Sequence, residues 1–488
     1  MKKLFIAFLC ALGVLGLAAC DGESGSGNKN NTRKIKVQYC GWDLGTEEEP
    51  TLKRLMIEKF NAQSDTIRIE LSIPQGSYDE YLNTLAAGGG LPDVFLVNSV
   101  PTAVINKLAG DITALTAADS EWAYVESSLK DSITYNDKVY AIPSAQNYLG
   151  FFANYDLIDD YATSLDDDAA VVFEPGEFTT EQFFKVIPEV RNVDNVNDGS
   201  GVIGINATGD MINWLPSSLD TTGTIKHFVW NGEDAFDFTS QTMIDALTKI
   251  QEIGDSTKKL TFNSLSVKAN PDDEDPRIAI FSSADENAVF SNGQMAFLQA
   301  ATYYNFSDLD FDWKFVGYPD GKVVSAADFL CISKACKNPE AAYEVAKFLS
   351  YGADGIKARY DILKENSDIS LTGLPINTDP TVTEQWFDYI TLPGAEEVYQ
   401  KVIAGEIEVI VEGLKTVPGF QSARYTYNTG ISIEGVRDGN PLTVGDFIWD
   451  VCEGKIGMND YISQMDAKRA ADINKEIQTA LDAIKALQ

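Results

Sequence analysis

Aromatic and amide side chains stand at the ends of the strands encoded near the start of this chain. Trp42 and Asp43 follow the alternating run Ile35–Tyr39. Gln75 and Tyr78 follow Ile67–Ile73, and Asn98-Ser99 follow the apolar run Val94–Val97. Gln146 and Asn147 interrupt two apolar stretches, Val139–Ile142 and Tyr148–Asn154. Such residues suit a neutral, polyhydroxylated ligand. Ligands of open α/β sheets sit outside the carboxyl ends of the strands. There a flat aromatic ring covers the C–H face of a sugar, while Asn, Gln, Asp and Arg pair with its hydroxyls. A hydroxyl buried without a partner costs about 1–3 kcal/mol. The competing role for each aromatic is core packing. For Asn98 and Gln146 it is a cap or turn.

Other chemistries find less support. His227 is the only histidine, and its neighbourhood Ile225–Trp230 reads as a strand, so a structural role is expected of it. One histidine excludes a His-rich metal site, and no Cys stands at metal spacing to it. No phosphate loop or dinucleotide glycine fingerprint occurs. Carboxylates are abundant, but nothing singles out a glycosidase pair. Asp194–Gly199 faintly resembles a calcium loop. Val196 at the third position and Ile205 where a bidentate Glu belongs argue for a plain turn. No metal, cofactor or catalytic residue is expected.

The elements that position these residues read as alternating strands and helices. After Ile35–Tyr39, Thr46 and Glu49 have capping-box spacing, and Leu52, Leu55, Met56 and Phe60 repeat at helical spacing. A second strand, a helix over Tyr78–Ala87 and the strand Val94–Val97 complete an α/β unit. Around Tyr135–Leu157 the spacing predicts a turn at Asn136-Asp137, a short strand stopped by Pro143, a polar interruption and a second strand. A bendable polar crossing between two buried strands is where a chain can leave one lobe for another. Further on, Gln241–Ile253, Ala341–Leu349, Thr443–Cys452 and Asp460–Leu487 read as helices. Asn338-Pro339 starts the second of these. Ile473, Ile477, Leu481 and Ile484 form one stripe that docks the C-terminus. Trp230, Trp313 and Trp449 are assigned to core.

The N-terminus is an address. Lys2-Lys3 precede an apolar run, Leu4–Ala19, that is short for a transmembrane span. Leu17-Ala18-Ala19-Cys20 resembles the bacterial lipobox, in which the Cys becomes the lipid-bearing N-terminus; residues 21–32 then form a Gly/Ser/Asn-rich flexible tether. Cys10 lies in the signal, and the other cysteines, Cys40, Cys331, Cys336 and Cys452, are too few for a disulfide framework; Cys331 and Cys336 could bridge locally, but free, buried thiols are expected. With 488 residues, 44% of them apolar, the chain can bury a sizeable core of about three domain-sized units. Its formal charge is −35, and cleavage before Cys20 removes Lys2 and Lys3, making it more negative still. That balance argues against nucleic acid, which needs a basic footprint.

Several segments, in order, resemble one family. Lys138–Pro143 with Phe151–Leu157 resembles a "G-K-x-Y-G-I-P … Y-N-K-D-L" region. Gly89–Phe95 resembles "G-x-x-P-D-V", and Ala109–Thr113 resembles "L-x-D-L-T". Phe178–Phe184 resembles "P-x-T-W-D-E-F" without its Trp, and Gly201–Ile205 resembles "x-Y-G-I". Phe290–Phe297 resembles "F-x-x-G-K-A-A-M" with Gln294 in place of Lys, and Ala341–Leu349 resembles the helix after "N-P-E". The family is that of the maltose-binding-protein-like extracellular solute-binding proteins that feed ABC sugar importers. The resemblance, from about Lys34 to the end, implies an α/β, two-lobed periplasmic-binding-protein-like (type II) fold with a ligand cleft between lobes joined by a hinge. Lobe one is expected at 33–145 plus 296–332, and lobe two at 146–295 plus 333–488. In that family Trp214, Tyr303, Asp328, Trp386 and Arg424 would lie in segments that border the cleft.

The expectation is therefore a lipid-anchored, monomeric protein on the outer side of the cell membrane, held by lipid on Cys20. It captures a sugar, an oligosaccharide above all, and delivers it to ABC permease subunits. The alternatives are the same fold binding a polyamine or peptide, which the acidic balance motivates, and a surface glycosidase. A structural adhesin finds no repeats to support it.

Overall fold

The computed structural model describes residues 34–162, 173–193, 201–223, 225, 237–265, 275–304, 306, 309–411, 432–437 and 439–486. His227, Trp230, Arg424, the 194–199 turn, Cys20 and the tether lie outside the described residues.

The first three strands form as the alternation dictates: β1 (Ile35–Cys40), β2 (Ile67–Leu71) and β3 (Val94–Val97), with β1 parallel to both others. Helix α1 (Leu52–Gln63) buries Met56, Ile57 and Phe60. It starts later than the spacing of Thr46 and Glu49 suggested. Those two close a small turn, Glu49 N–H donating to Thr46 Oγ1 at 2.9 Å, and Thr51 is the cap instead. Helix α2 spans Tyr78–Ala87 as expected.

Asn136 and Asp137 turn a two-residue hairpin between β4 (Thr134–Tyr135) and β5 (Lys138–Val139). Both have positive φ, 52° and 60°, the conformation that matches hairpin twist and that Asn and Asp tolerate. The segment after the hairpin departs from expectation. Pro143 does not stop a strand, and there is no interruption: β6 runs unbroken from Ile142 to Asn154. A bulge makes this possible. On the facing strand β10 (Lys322–Ile332), Asp328 pairs with Ala145 and Phe329 with Pro143, so Ser144 is the extra residue. A bulge is one of the few places in a sheet where a residue without an N–H is tolerated.

The other strands are β7 (Ile203–Ile205), β8 (Met295–Ala301), β9 (Trp313–Gly317) and β11 (Glu408–Val411). Among the described residues they form one nine-stranded sheet in the order β2-β1-β3-β10-β6-β8-β7, with β11 on β10 and β9 on β6. A separate hairpin pairs β12 (Ser432–Arg437) with β13 (Asn440–Thr443).

The sheet serves two hydrophobic centres. One gathers β1–β3, Ile142, and Phe329–Ile332 of β10. The other straddles the far half of β6, with Leu149, Phe151 and Ala153 on one face and Tyr148 and Phe152 on the other. Each fully buried Phe here contributes about 1.5–3 kcal/mol. Among the described strands, only β6 and β10 run from one centre to the other. The helices Pro339–Leu349 and Ala353–Glu365 pack with the first centre, through Ala342, Val345, Leu349 and Ile362, so the packing differs from an expected second lobe that begins at 333.

The C-terminal helix is two helices, Met458–Gln464 and Ala467–Lys485, because Asp466 caps a new start. Ile473 packs in the second centre and Ile484 in the first. Cys40, Cys331 and Cys452 are buried free thiols, and Cys336 is half-buried. No described helix is long and apolar enough to cross a membrane.

Candidate functional site

The turn after β1 brings Trp42, Asp43 and Tyr78 together. Gly41 permits it: a Cβ there would stand 2.4 Å from Asp43 Oδ1 and 2.9 Å from the Tyr39 hydroxyl. Trp42 is 40% exposed. Its ring meets that of Tyr78 edge-on, with centroids 4.9 Å apart. The Tyr78 hydroxyl is directed at the carbonyls of Cys40 (3.1 Å) and Leu96 (2.9 Å), clamping the ends of β1 and β3 beneath the indole. Burial pushes the Tyr78 hydroxyl's pKa far up, so it stays a donor.

Asp43 is held from two sides. The Tyr39 hydroxyl donates to its carboxylate at 2.9 and 3.1 Å, and Lys53 Nζ lies 3.7 Å away. Lys53, on the first turn of α1, also donates to Ser144 Oγ (3.0 Å) and to the Leu349 carbonyl (2.9 Å). The bulge in β6 therefore has a local consequence: it aims Ser144 at this lysine. Burial lowers the Lys53 ammonium to about 8, against the opposing pull of Asp43 and Asp328 and with a push from Arg359. Asp328, opposite Ala145, acts on both Lys53 and Tyr39.

A second group of polar and aromatic residues starts from β6. Asn147 is half-buried and accepts from Thr302 Oγ1 at 3.4 Å. Thr302 opens a cavity of about 410 Å³ lined also by Tyr303, Tyr304, Tyr389 and Leu392, with Ser370, Thr372 and Thr391 as hydroxyl donors. That volume lies within the usual range of small-molecule sites. Tyr303 is 40% exposed and packs on Tyr304 with centroids 4.6 Å apart. Tyr389 stacks on Tyr360 at 5.9 Å, which fixes the opposite side. No residue lining this cavity carries a charge.

The remaining sequence-derived positions fare differently. Gln75 is exposed in the loop before α2. Asn98 donates to Asp79 on the first turn of α2, at 2.8 and 3.0 Å. Gln146 is fully buried on the face of β6 opposite to Asn147, as strand alternation requires. Trp214 is a correction. It is fully buried, stacked on Tyr318 at 5.2 Å, with its indole N–H directed at Gln299 Oε1 at 3.4 Å, so it presents no face to a ligand. Trp386 is a second correction: 4% exposed, it donates to the Gly373 carbonyl at 3.0 Å and carries Arg359 over its ring. It supports the cavity wall from behind with Leu363 and Leu371. Trp313 is core as expected; Trp449 packs against the second centre but also lines a smaller cavity with Thr208 and Asn263. Sequence reasoning missed Lys53, which reads as an ordinary surface cation on a helix, and Tyr389, which follows no strand. Among the described residues no three His, Cys, Asp or Glu side chains are grouped to hold a metal.

Solved structures share this architecture. The sugar-binding protein MalE of Xanthomonas citri aligns with TM-score 0.59 and 12% identity over 93% of this chain and 99% of its own. The GacH receptor of Streptomyces glaucescens, solved with acarbose, gives 0.56 and 15% over 92% and 99%. An ABC substrate-binding protein of Listeria monocytogenes in complex with cycloalternan gives 0.55 and 17% over 93% and 99%. At these identities the likeness is one of fold: a periplasmic-binding-protein-like pair of α/β lobes with a cleft between them. No curated protein matches the chain in sequence. The sequence profile of the bacterial extracellular solute-binding proteins matches residues 55–365, and the chain belongs to that family.

Proposed function

We propose that this protein captures a neutral oligosaccharide between its two lobes and delivers it to an ABC permease, held at the outer face of the membrane by lipid on Cys20. The observation that carries this reading is the uncharged, tyrosine-lined cavity in a chain of net charge −35. A site for a polyamine would place carboxylates there, because a buried cation needs a counter-charge. Tyrosines flanked by threonine and serine hydroxyls instead match the C–H faces and hydroxyls of a sugar. Relatives by fold carry cycloalternan and acarbose in their solved complexes, which fits the same ligand class. Trp42, Asp43, Tyr78, Asn147, Tyr303 and Asp328 form the ligand's surroundings in this reading, and Gln75 and Asn98 border them. The lobes meet at β6 and β10, where closure bends the sheet. The ligand drives closure because contacts from both walls form only when they approach. No bond is made or broken.

A thermal-shift screen tests this. Maltotriose, xylotriose, cycloalternan, spermidine and short peptides are added to the purified protein. A ligand at about 100 times its Kd adds about 2.7 kcal/mol of stability, a clear rise in Tm. A rise with one oligosaccharide class is expected. A rise with spermidine alone overturns the reading, and release of reducing ends from a glycan would make the protein a glycosidase.

A further inference from the structure

Lys53 is a largely enclosed cation that helix α1 itself does not need. Its side chain is 11% exposed. Helix α1 is capped by Thr51 and seated by Met56, Ile57 and Phe60 without it. The Leu349 carbonyl it meets already accepts from Arg359 Nη2 at 2.7 Å. Holding an ammonium group there costs desolvation, which Asp43 and the Ser144 and Leu349 acceptors offset. Buried charges kept at such a cost cluster at functional sites.

Its partners show what the charge does. Asp43 Oδ2 is 3.7 Å away, beside the exposed Trp42, and Ser144 Oγ is 3.0 Å away, on the bulge of β6. A carboxylate has about four acceptor positions. The Tyr39 hydroxyl and Lys53 fill part of that capacity and leave the rest for hydroxyls arriving from the cleft. We propose that Lys53 is the positioning residue of this cleft: it fixes the Asp43 carboxylate to accept a sugar hydroxyl and ties that carboxylate, through Ser144, to a strand that both lobes share. This rests on the oligosaccharide reading of the site. A hydroxyl that engages Asp43 then draws on the group that Lys53 holds, so occupancy is felt at the hinge as well as at the wall.

The charged and titratable groups around Lys53 are few. Asp43 follows β1 and Asp328 lies on β10; both favour its protonated form. Arg359, from the helix Ala353–Glu365, opposes it. Tyr39, whose hydroxyl burial keeps protonated, meets Asp43 from β1. Burial lowers the lysine's pKa to about 8, so it discharges as the pH rises through that value, and the carboxylate then keeps only the Tyr39 hydroxyl of the two groups that hold it.

The test compares wild type, Lys53→Met and Lys53→Arg. Calorimetry measures binding of the tightest of maltotriose, xylotriose and cycloalternan. Lys53→Met is expected to bind about tenfold or more weakly at neutral pH, the loss of one charge-assisted contact. It should also lose some heat stability, because Asp43 keeps its charge beside Tyr39 alone, and Lys53→Arg should recover part of the affinity. Wild-type affinity should fall toward that of Lys53→Met as the pH passes about 8, while the Met variant stays flat. Wild-type affinity in Lys53→Met, or an unchanged pH profile, overturns the proposal. A lysine-labelled NMR titration of the free protein decides without any sugar. Lys53 titrating near 8, and lower still in Asp43→Asn, supports the coupling, and an ordinary lysine value in both overturns it. If none of the three sugars binds wild type, the oligosaccharide reading fails while the titration still judges Lys53.

Discussion

The two groups of residues proposed as walls of the cleft are built on opposite electrostatic plans. Around the end of β1, charge is dense and internally paired: Asp43 with Tyr39 and Lys53, and Asp328 within reach of both of the latter. Around Thr302–Tyr304 and Tyr389 there is no charge, only rings and hydroxyls. The contrast is instructive because the chain as a whole is strongly acidic. Where negative charge enters the cleft, a buried cation and a phenol hold it in one orientation, which makes it a fixed acceptor instead of a diffuse field. Where a ligand's apolar face would rest, charge is excluded. A neutral polyhydroxylated molecule needs both surfaces. A cation needs only the first, and an apolar molecule only the second.

The contrast between wall and core gives the largest expected effect. Trp214 has no exposed surface and stacks on Tyr318 inside the second centre. Trp214→Ala should therefore cost about 3–5 kcal/mol of stability, read as a drop in the urea midpoint. Trp42→Ala, at an exposed ring, should leave the midpoint nearly unchanged and weaken sugar binding. Equal midpoints for the two variants would break the distinction between wall and core.

Next come the two walls themselves. Asp43→Asn keeps the shape but removes the charge that Tyr39 and Lys53 orient, and charge-assisted hydrogen bonds contribute about 1.5–3 kcal/mol. Tyr303→Ala removes one half-exposed ring, a contact worth about 0.5–1.5 kcal/mol beyond its area. Calorimetry with the best-binding oligosaccharide should rank Asp43→Asn below Tyr303→Ala in affinity. The reverse order would mean that stacking dominates and that the charged wall is mainly structural.

How much of the fold and site was legible in the sequence depends on what each signal reports. Period-two alternation and helical spacing reported β1, β2, α1 and α2 because those elements face one core with one side. The strand-end rule reported Trp42, Asp43 and Tyr78, which lie together because parallel strands end at the same edge. Trp214 came from the family resemblance, and a segment that borders a cleft does not tell an exposed ring from an enclosed one; only packing shows that Trp214 is enclosed. Pro143 and the polar run after it masked β6, because a bulge is a property of two strands in register and not of one segment. Lys53 was silent for a related reason. Its role depends on Ser144 and Leu349, about 90 and 300 residues away in the chain, and no local pattern encodes their convergence.

The smallest effect is the most discriminating. Because the cavity is neutral and the charges around the end of β1 are paired, affinity for an oligosaccharide should change little between low and high salt. A polyamine bound beside Asp43 and Asp328 would lose affinity steeply as the ions screen it. The pH dependence separates the two cases by sign. Lys53, with its pKa lowered to about 8 by burial, discharges as the pH rises past that value, so Asp43 loses the ammonium charge beside it and Asp328 a positive charge in its field. The wall then becomes more negative. A cationic ligand should bind more tightly above pH 8 for as long as it keeps its own charge, since an electrostatic competitor has gone. A sugar gains nothing from added negative charge and loses a carboxylate held in place, so its affinity should fall. Titrations at two salt concentrations on each side of pH 8 would read both trends. Salt-insensitive binding that weakens with rising pH is the outcome that this pair of walls requires.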